Sequence, residues 1–209
     1  MDTFAEIADE RRGLAELLSG LTAEQRDARS LCGEWSVHEV FAHLVMPLEV
    51  STAKVALMMV RCRGDFDQAN LRLTRELAQR TPEDLAGVLR QKAASRFTPP
   101  GSGPEAPLAD VLVHGLDIRW PLGLSREIPA ERLRATLTFL TATSARGFVA
   151  KGVTEGLRFE ATDLDWAQGE GSVVRGSAEA ILLAVTGRTV ALNHLDGPGV
   201  ATLRVRLAG

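Results

Sequence analysis

The chain has 209 residues, of which 45% are apolar and 24% charged, with a formal net charge of -3. This balance is that of a folded domain rather than a disordered chain, and a slightly acidic protein lacks the concentrated basic surface that nucleic-acid binding requires. The length suffices to bury a core without staples, and Cys32 and Cys62 make neither a disulfide framework nor a cysteine-rich zinc site.

Phe4, Ile7, Ala8, Leu14, Leu17 and Leu18 recur at three- and four-residue steps, which predicts an amphipathic helix ending near Gly20. Its start, Met1-Asp2-Thr3-Phe4-Ala5-Glu6, is acidic and has no signal-peptide organisation, so a reducing, cytoplasmic setting is expected. Thr22-Ala23-Glu24-Gln25 reads as a fresh cap with a short turn behind it. Ser36 before Val37, with Glu39 three residues on, is a capping box that opens a long helix running towards Arg61. Pro47 lies inside that helix and cannot donate to the carbonyl of His43, so a kink or a freed carbonyl is expected beside this histidine.

Residues 67–79 and 82–95 carry two more helical patterns, the second capped by Thr81 with Pro82 at its first position. Residues 97–104 are rich in proline and glycine and form a loop. A further helix bears Asp110 and His114 and closes at Pro121-Leu122-Gly123; Pro129 opens another through about Phe148. Beyond Gly152, residues 157–162 alternate like a strand, and Val173-Val174 and residues 203–207 suggest two more. The helix at residues 178–185 ends at Gly187. The expected architecture is α+β and mainly α: a helical domain over 1–150 and a small α/β domain over 151–209. The longest apolar runs are too short to span a bilayer.

The chemistry concentrates in Asp110-Val111-Leu112-Val113-His114. On a helix, residues four apart lie about 40° apart around the axis, close enough to converge on one ion. A carboxylate set among Val111, Leu112, Val113, Leu116 and Ile118 needs a partner or a metal. His43 is the natural third ligand, since His38 points about 140° away from it. His43, Asp110 and His114 thus form a candidate three-ligand metal site with coordination left open for water or substrate. Asp117 can orient a ligand or pair with Arg119. Trp35, Trp120 and Trp166 are pocket or core residues, Cys32 has no activating histidine at a predictable spacing, and His38 and His194 read as solvated or capping. Arg188, Arg204 and Arg206 supply either an anion site or, for the last two, the wet face of a strand.

In combination, several segments resemble the mycothiol-dependent maleylpyruvate isomerase family of the DinB-like superfamily. They are Trp35-Ser36-Val37 leading into Ala42-His43-Leu44, Phe66-Asp67-Gln68-Ala69-Asn70, and Asp110 through Arg119 with Pro121-Leu122-Gly123. In the C-terminal part, Ala161-Thr162-Asp163 with Trp166, then Thr186-Gly187-Arg188, carry the same likeness. The resemblance implies a DinB-like four-helix bundle followed by a small C-terminal α/β domain, a divalent metal, usually zinc, and mycothiol as thiol cosubstrate. It assigns His43 and His114 as the histidine ligands and puts Asp110 where the isomerase itself carries Glu.

The expected function is therefore that of a metal- and mycothiol-dependent S-transferase or thiol-assisted isomerase acting on a small electrophile, as a monomer or homodimer, with no nucleic-acid or membrane partner. A non-catalytic DinB-like binding module and a thiol-independent metal hydrolase are the alternatives.

Overall fold

The structure is a computed structural model that describes residues 2–142, 145 and 147–208. These divide into two compact units, one of Asp2–Pro100 with Asp117–Ser125 and one of Gly101–Leu116 with residues from 126 onward.

The first unit is helical. Helix α1 (Thr3–Gly20) starts where the Asp2 carboxylate accepts the N–H groups of Phe4 and Ala5, and it buries Ile7, Leu14 and Leu18 completely. At about 1.5–3 kcal/mol for each such side chain, this stripe is what seats the helix. Buried Arg11 extends from it to donate to the carbonyls of Ala93 (3.0 Å) and Ser95 (2.8 Å), just beyond the end of α6 (Pro82–Gln91), against which α1 packs. Helix α2 (Ala23–Asp27) is one capped turn with the full Thr22/Gln25 capping box. Helix α3 (Val37–Glu49) begins with the Ser36/Glu39 box and packs on both α6 and α5 (Phe66–Leu77). At its far end Glu49 receives Lys92 at 2.7 Å and Arg80 at 3.2 Å.

The long helix expected from Ser36 to Arg61 is two helices. The turn containing Pro47 completes, with the Val50 N–H bonded to the Met46 carbonyl. Val50 then turns extended (φ -80°, ψ 121°), and the Ser51 hydroxyl caps a new helix, α4 (Thr52–Arg61), inclined at 119° to α3. The break therefore falls at the serine cap, which satisfies new backbone donors, rather than at the proline. Among the described residues no single helix is long and apolar enough to cross a membrane.

The second unit combines helices with a small mixed sheet. Helix α7 (Glu105–Arg119) begins here, and α8 (Ala130–Thr141) ends well before Phe148 because Ala142 turns extended; residues 143, 144 and 146 of the expected continuation lie outside the described residues. Strands β1 (Leu157–Ala161), β2 (Ala167–Gly169), β3 (Ser172–Gly176) and β4 (Leu195–Asp196) are ordered β2-β1-β3-β4, with β1 and β3 parallel and both outer pairings antiparallel. Helix α9 (Ala178–Val185) is apolar and almost wholly buried, packing on β1, β3 and α8. The β2–β3 turn demands glycine at Gly171, where φ is 115° and a Cβ would sit 2.2 Å from the Gly156 carbonyl oxygen.

Residues 203–207, expected as a strand, lie in helix α10 (Gly199–Ala208). In a strand Leu203 and Val205 would share a face, but Leu203 is fully buried and Val205 is 74% exposed. Arg206 fixes the helix by donating to the carbonyls of Val153 (3.0 Å) and Glu155 (2.6 Å). The chain is thus α+β and mainly helical, with one small four-stranded sheet in its C-terminal part.

Candidate metal centre

Helix α7 is apolar on nearly every side. Ala106, Leu108, Ala109, Val111, Leu112, Val113, Leu116 and Ile118 are all buried, so the polar residues among them stand out by burial rather than by facing water. One helical turn brings Asp110 Oδ1 to 3.6 Å from His114 Nε2, with the side chains 24% and 11% exposed. The pair expected from spacing is therefore brought together within one unit.

His43 belongs to the other unit, on α3, where it is half-buried and follows the fully buried Phe41 and Ala42. The Trp35 ring lies against its imidazole, with centroids 5.0 Å apart and planes inclined at 42°. The loop that presents Trp35 is tightly bonded: the Ser30 N–H and hydroxyl both donate to the Trp35 carbonyl (3.0 and 2.8 Å), the Trp35 N–H donates to the Cys32 carbonyl, and Val37 N–H donates to Ala28. Trp35 is thus a fixed wall for His43. The pocket role open to it in the sequence narrows to that contact.

The same loop holds a feature that spacing did not reveal. Leu31 N–H donates to the Asp117 carbonyl at 3.1 Å, and half-buried Cys32 places its Sγ within 4.8 Å of a carboxylate oxygen of fully buried Asp117. Nothing in the local pattern around either residue announces this contact, because it joins a loop to the end of α7 across most of the first unit's sequence.

Other candidates have structural roles. His38 caps the end of α5, its Nε2 lying 3.1 Å from the Ala78 carbonyl oxygen. Trp166 is buried and donates its indole N–H to Thr138 Oγ1 at 3.0 Å, which ties the sheet to α8. Arg206 is bonded to backbone carbonyls as above, Arg188 donates to the Thr186 carbonyl, and Arg204 and His194 are exposed. In the second unit an open groove of about 610 Å³ runs along Arg158, Glu160, Thr162 and Asp165; it contains none of the candidate ligands. Glu160 sits there between Arg158 and Arg175, whose hydrogen bonds hold its carboxyl below the usual carboxylate value. At Glu49 the hydrogen bond from Lys92, aided by Arg80, does the same.

Residues 7–96 match the family described as the mycothiol maleylpyruvate isomerase N-terminal domain. Two solved structures share the fold: a mycothiol-dependent maleylpyruvate isomerase (TM-score 0.54) and a variant of that isomerase with one histidine replaced by alanine (TM-score 0.52). Each is 20% identical to this chain, with 95% of this chain and 96% of the other covered. Among curated proteins none matches the sequence.

Proposed function

We propose that the chain belongs to the mycothiol maleylpyruvate isomerase family and is a metal-dependent enzyme that uses mycothiol to act on a small electrophile, a reading supported by the family match over residues 7–96 and by the shared fold. The observation that carries this reading is the 3.6 Å separation of Asp110 Oδ1 and His114 Nε2. It is too long for a hydrogen bond. It is close to the roughly 3.4 Å between two ligand atoms that share a tetrahedral zinc at about 2.1 Å each. In this proposal His43 supplies the third ligand. Two imidazoles and a carboxylate are a donor set typical of catalytic zinc, in which a fourth position stays open.

A divalent ion held there supplies the positive charge that keeps a bound thiol deprotonated at neutral pH. The chain's own residues do the rest. Trp35 holds the His43 ring in one orientation, and the buried apolar residues of α7 keep water from weakening the charge interactions around Asp110 and His114. The thiolate forms a C–S bond to an electrophilic carbon. In an isomerase that carbon belongs to an activated double bond; rotation follows about the bond that has become single, and the C–S bond then breaks to return the thiolate. In a transferase the C–S bond persists, and the displaced electron pair leaves with a group expelled from that carbon or, after addition to a double bond, takes up a proton on the neighbouring carbon. We place the reaction in the cytoplasm, where cysteines such as Cys32 and Cys62 stay as thiols.

Metal content of the isolated protein, together with electrophile turnover measured with mycothiol, with another thiol and with none, tests the proposal. A stoichiometric divalent ion lost in His43→Ala and His114→Ala, with turnover only in mycothiol, is expected. Turnover indifferent to thiol would replace the reading with metal-dependent hydrolysis. Absence of bound metal, unchanged by either substitution, would leave a binding protein.

A further inference from the structure

Helix α5 buries Ala69, Leu73, Thr74 and Leu77 and leaves its charged residues Asp67, Arg72, Arg75 and Glu76 in water. Two polar atoms are caught on its covered side. Asn70 Oδ1 and Thr74 Oγ1 are both shut off from solvent, and neither has a hydrogen-bond partner; Thr74 as a whole is 0% exposed, whereas Asn70 is half-buried. Asn70 ends the motif at residues 66–70, which supplies no ligand to the proposed metal centre. One helical turn apart, the two side chains share a face, and they are the sole pair of this kind among the described residues.

Helix geometry alone does not leave a hydroxyl in this state. A helical serine or threonine can satisfy itself by donating to the carbonyl four residues back. Ser19 does so to Ala15 (2.9 Å), Thr141 to Leu137 (2.7 Å) and Thr186 to Leu182 (2.8 Å). Thr74 makes no such bond to the Asn70 carbonyl. Valine would fill the same space without burying an unpaired hydroxyl, so the pair stands at a cost to the free protein.

The face is turned towards α3. Helix α5 packs on α3 and α4, and Glu76, which pairs with Lys54 of α4, lies about 200° around the axis from Thr74. The line through Asn70 and Thr74 runs on to Ala78, whose carbonyl meets His38 of α3, the helix that also carries His43. Since α5 brings no charge to this face, a charged group would be buried there unpaired. A neutral hydroxyl, which both gives and takes a hydrogen bond, suits an amide beside a second hydroxyl.

We propose that Asn70 and Thr74 form a subsite for a hydroxyl group of mycothiol, a thiol whose sulfur is carried on a sugar body rich in hydroxyls. Resting on the mycothiol-dependent reading above, this subsite selects that thiol over one without hydroxyls. A buried water offers the same hydrogen-bonding chemistry, and stability separates the two sources.

Calorimetric titration of mycothiol into the isolated protein, with urea unfolding of the same variants in the absence of thiol, tests it. Wild type should bind mycothiol. Thr74→Val and Asn70→Leu should each weaken binding about 3–10-fold, the worth of one neutral hydrogen bond, and Thr74→Ser should keep it within about twofold of wild type. Because each apolar replacement removes an unpaired buried atom, neither should lower the urea midpoint. A lowered midpoint would assign the pair to a structural water, and unchanged mycothiol affinity would deny it a ligand; either result overturns the proposal. Wild-type protein that binds no mycothiol would overturn the cosubstrate reading itself, and this subsite with it.

Discussion

Replacing Asp110 by Asn keeps the side chain's size and removes its charge. With two ligand bonds of about 2.1 Å, a separation of 3.6 Å corresponds to an angle of roughly 118° at a shared ion, within the range of distorted tetrahedral sites. Residues that only orient ligands change metal affinity by about 10–100-fold when removed, so loss of a direct ligand should cost at least about 100-fold, or ~2.7 kcal/mol. Metal that binds only the folded chain stabilises it in proportion to the logarithm of occupancy, so at saturating zinc the variant should forgo about 2.7 kcal/mol of that stabilisation. In a chain of this length 1 kcal/mol moves the melting temperature by about 2–4 °C, which puts the loss at roughly 5–11 °C. Thermal melts of wild type and Asp110→Asn in zinc and in chelator measure it. The two proteins should nearly coincide in chelator and separate in zinc. Equal stabilisation of both by zinc, or of neither, would refute the ligand assignment.

Thr138→Val leaves the buried Trp166 N–H without its acceptor and should cost about 1–3 kcal/mol in urea unfolding, with little change in metal affinity. Ser51→Ala removes the cap that starts α4 and should lower stability by about 0.5–2 kcal/mol, with increased amide exchange concentrated in residues 52–55. The Glu49 carboxyl is held below its ordinary value of 4.5 by Lys92 and Arg80, so its contribution to stability is complete above that value and is lost as pH falls through the lower, folded-state value. Lys92→Ala should therefore flatten the acid limb of a stability-versus-pH curve between pH 5 and the acid transition; an unchanged limb would remove Glu49 from the account.

The readable parts of this sequence are those where local chemistry settles the conformation. Ser36 with Glu39, Thr22 with Gln25, and Thr81 before Pro82 each announce a helix start, because a side-chain oxygen must satisfy the first backbone donors, and all three caps are made. The Asp110/His114 pair is legible for the same reason, since one helical turn fixes it. Ser51 was hidden because the apolar run continues through it, and Leu203-Arg204-Val205-Arg206-Leu207 fits a period of two as well as one helical face. Only burial of Leu203 beneath an exposed Val205 separates the two readings. Strands β2 and β4, at three and two residues, are too short to pattern at all. The approach of Cys32 to Asp117 is purely tertiary, held by a loop hydrogen bond that no local spacing encodes.

The contact between Trp35 and His43 also has an optical consequence. Trp166 is locked in the β-sheet unit by its bond to Thr138, whereas Trp35 lies 5.0 Å from the His43 imidazole, whose charge and electron density would change on binding the proposed cation. Indole emission responds to such changes at its face, so titrating zinc into the metal-free protein should alter the emission of Trp35 while that of Trp166 stays steady. Trp35→Phe should silence the signal and leave the emission of Trp166 in place. On the proposed ligand set, Trp35 is a native reporter of occupancy at His43, readable without label or substrate.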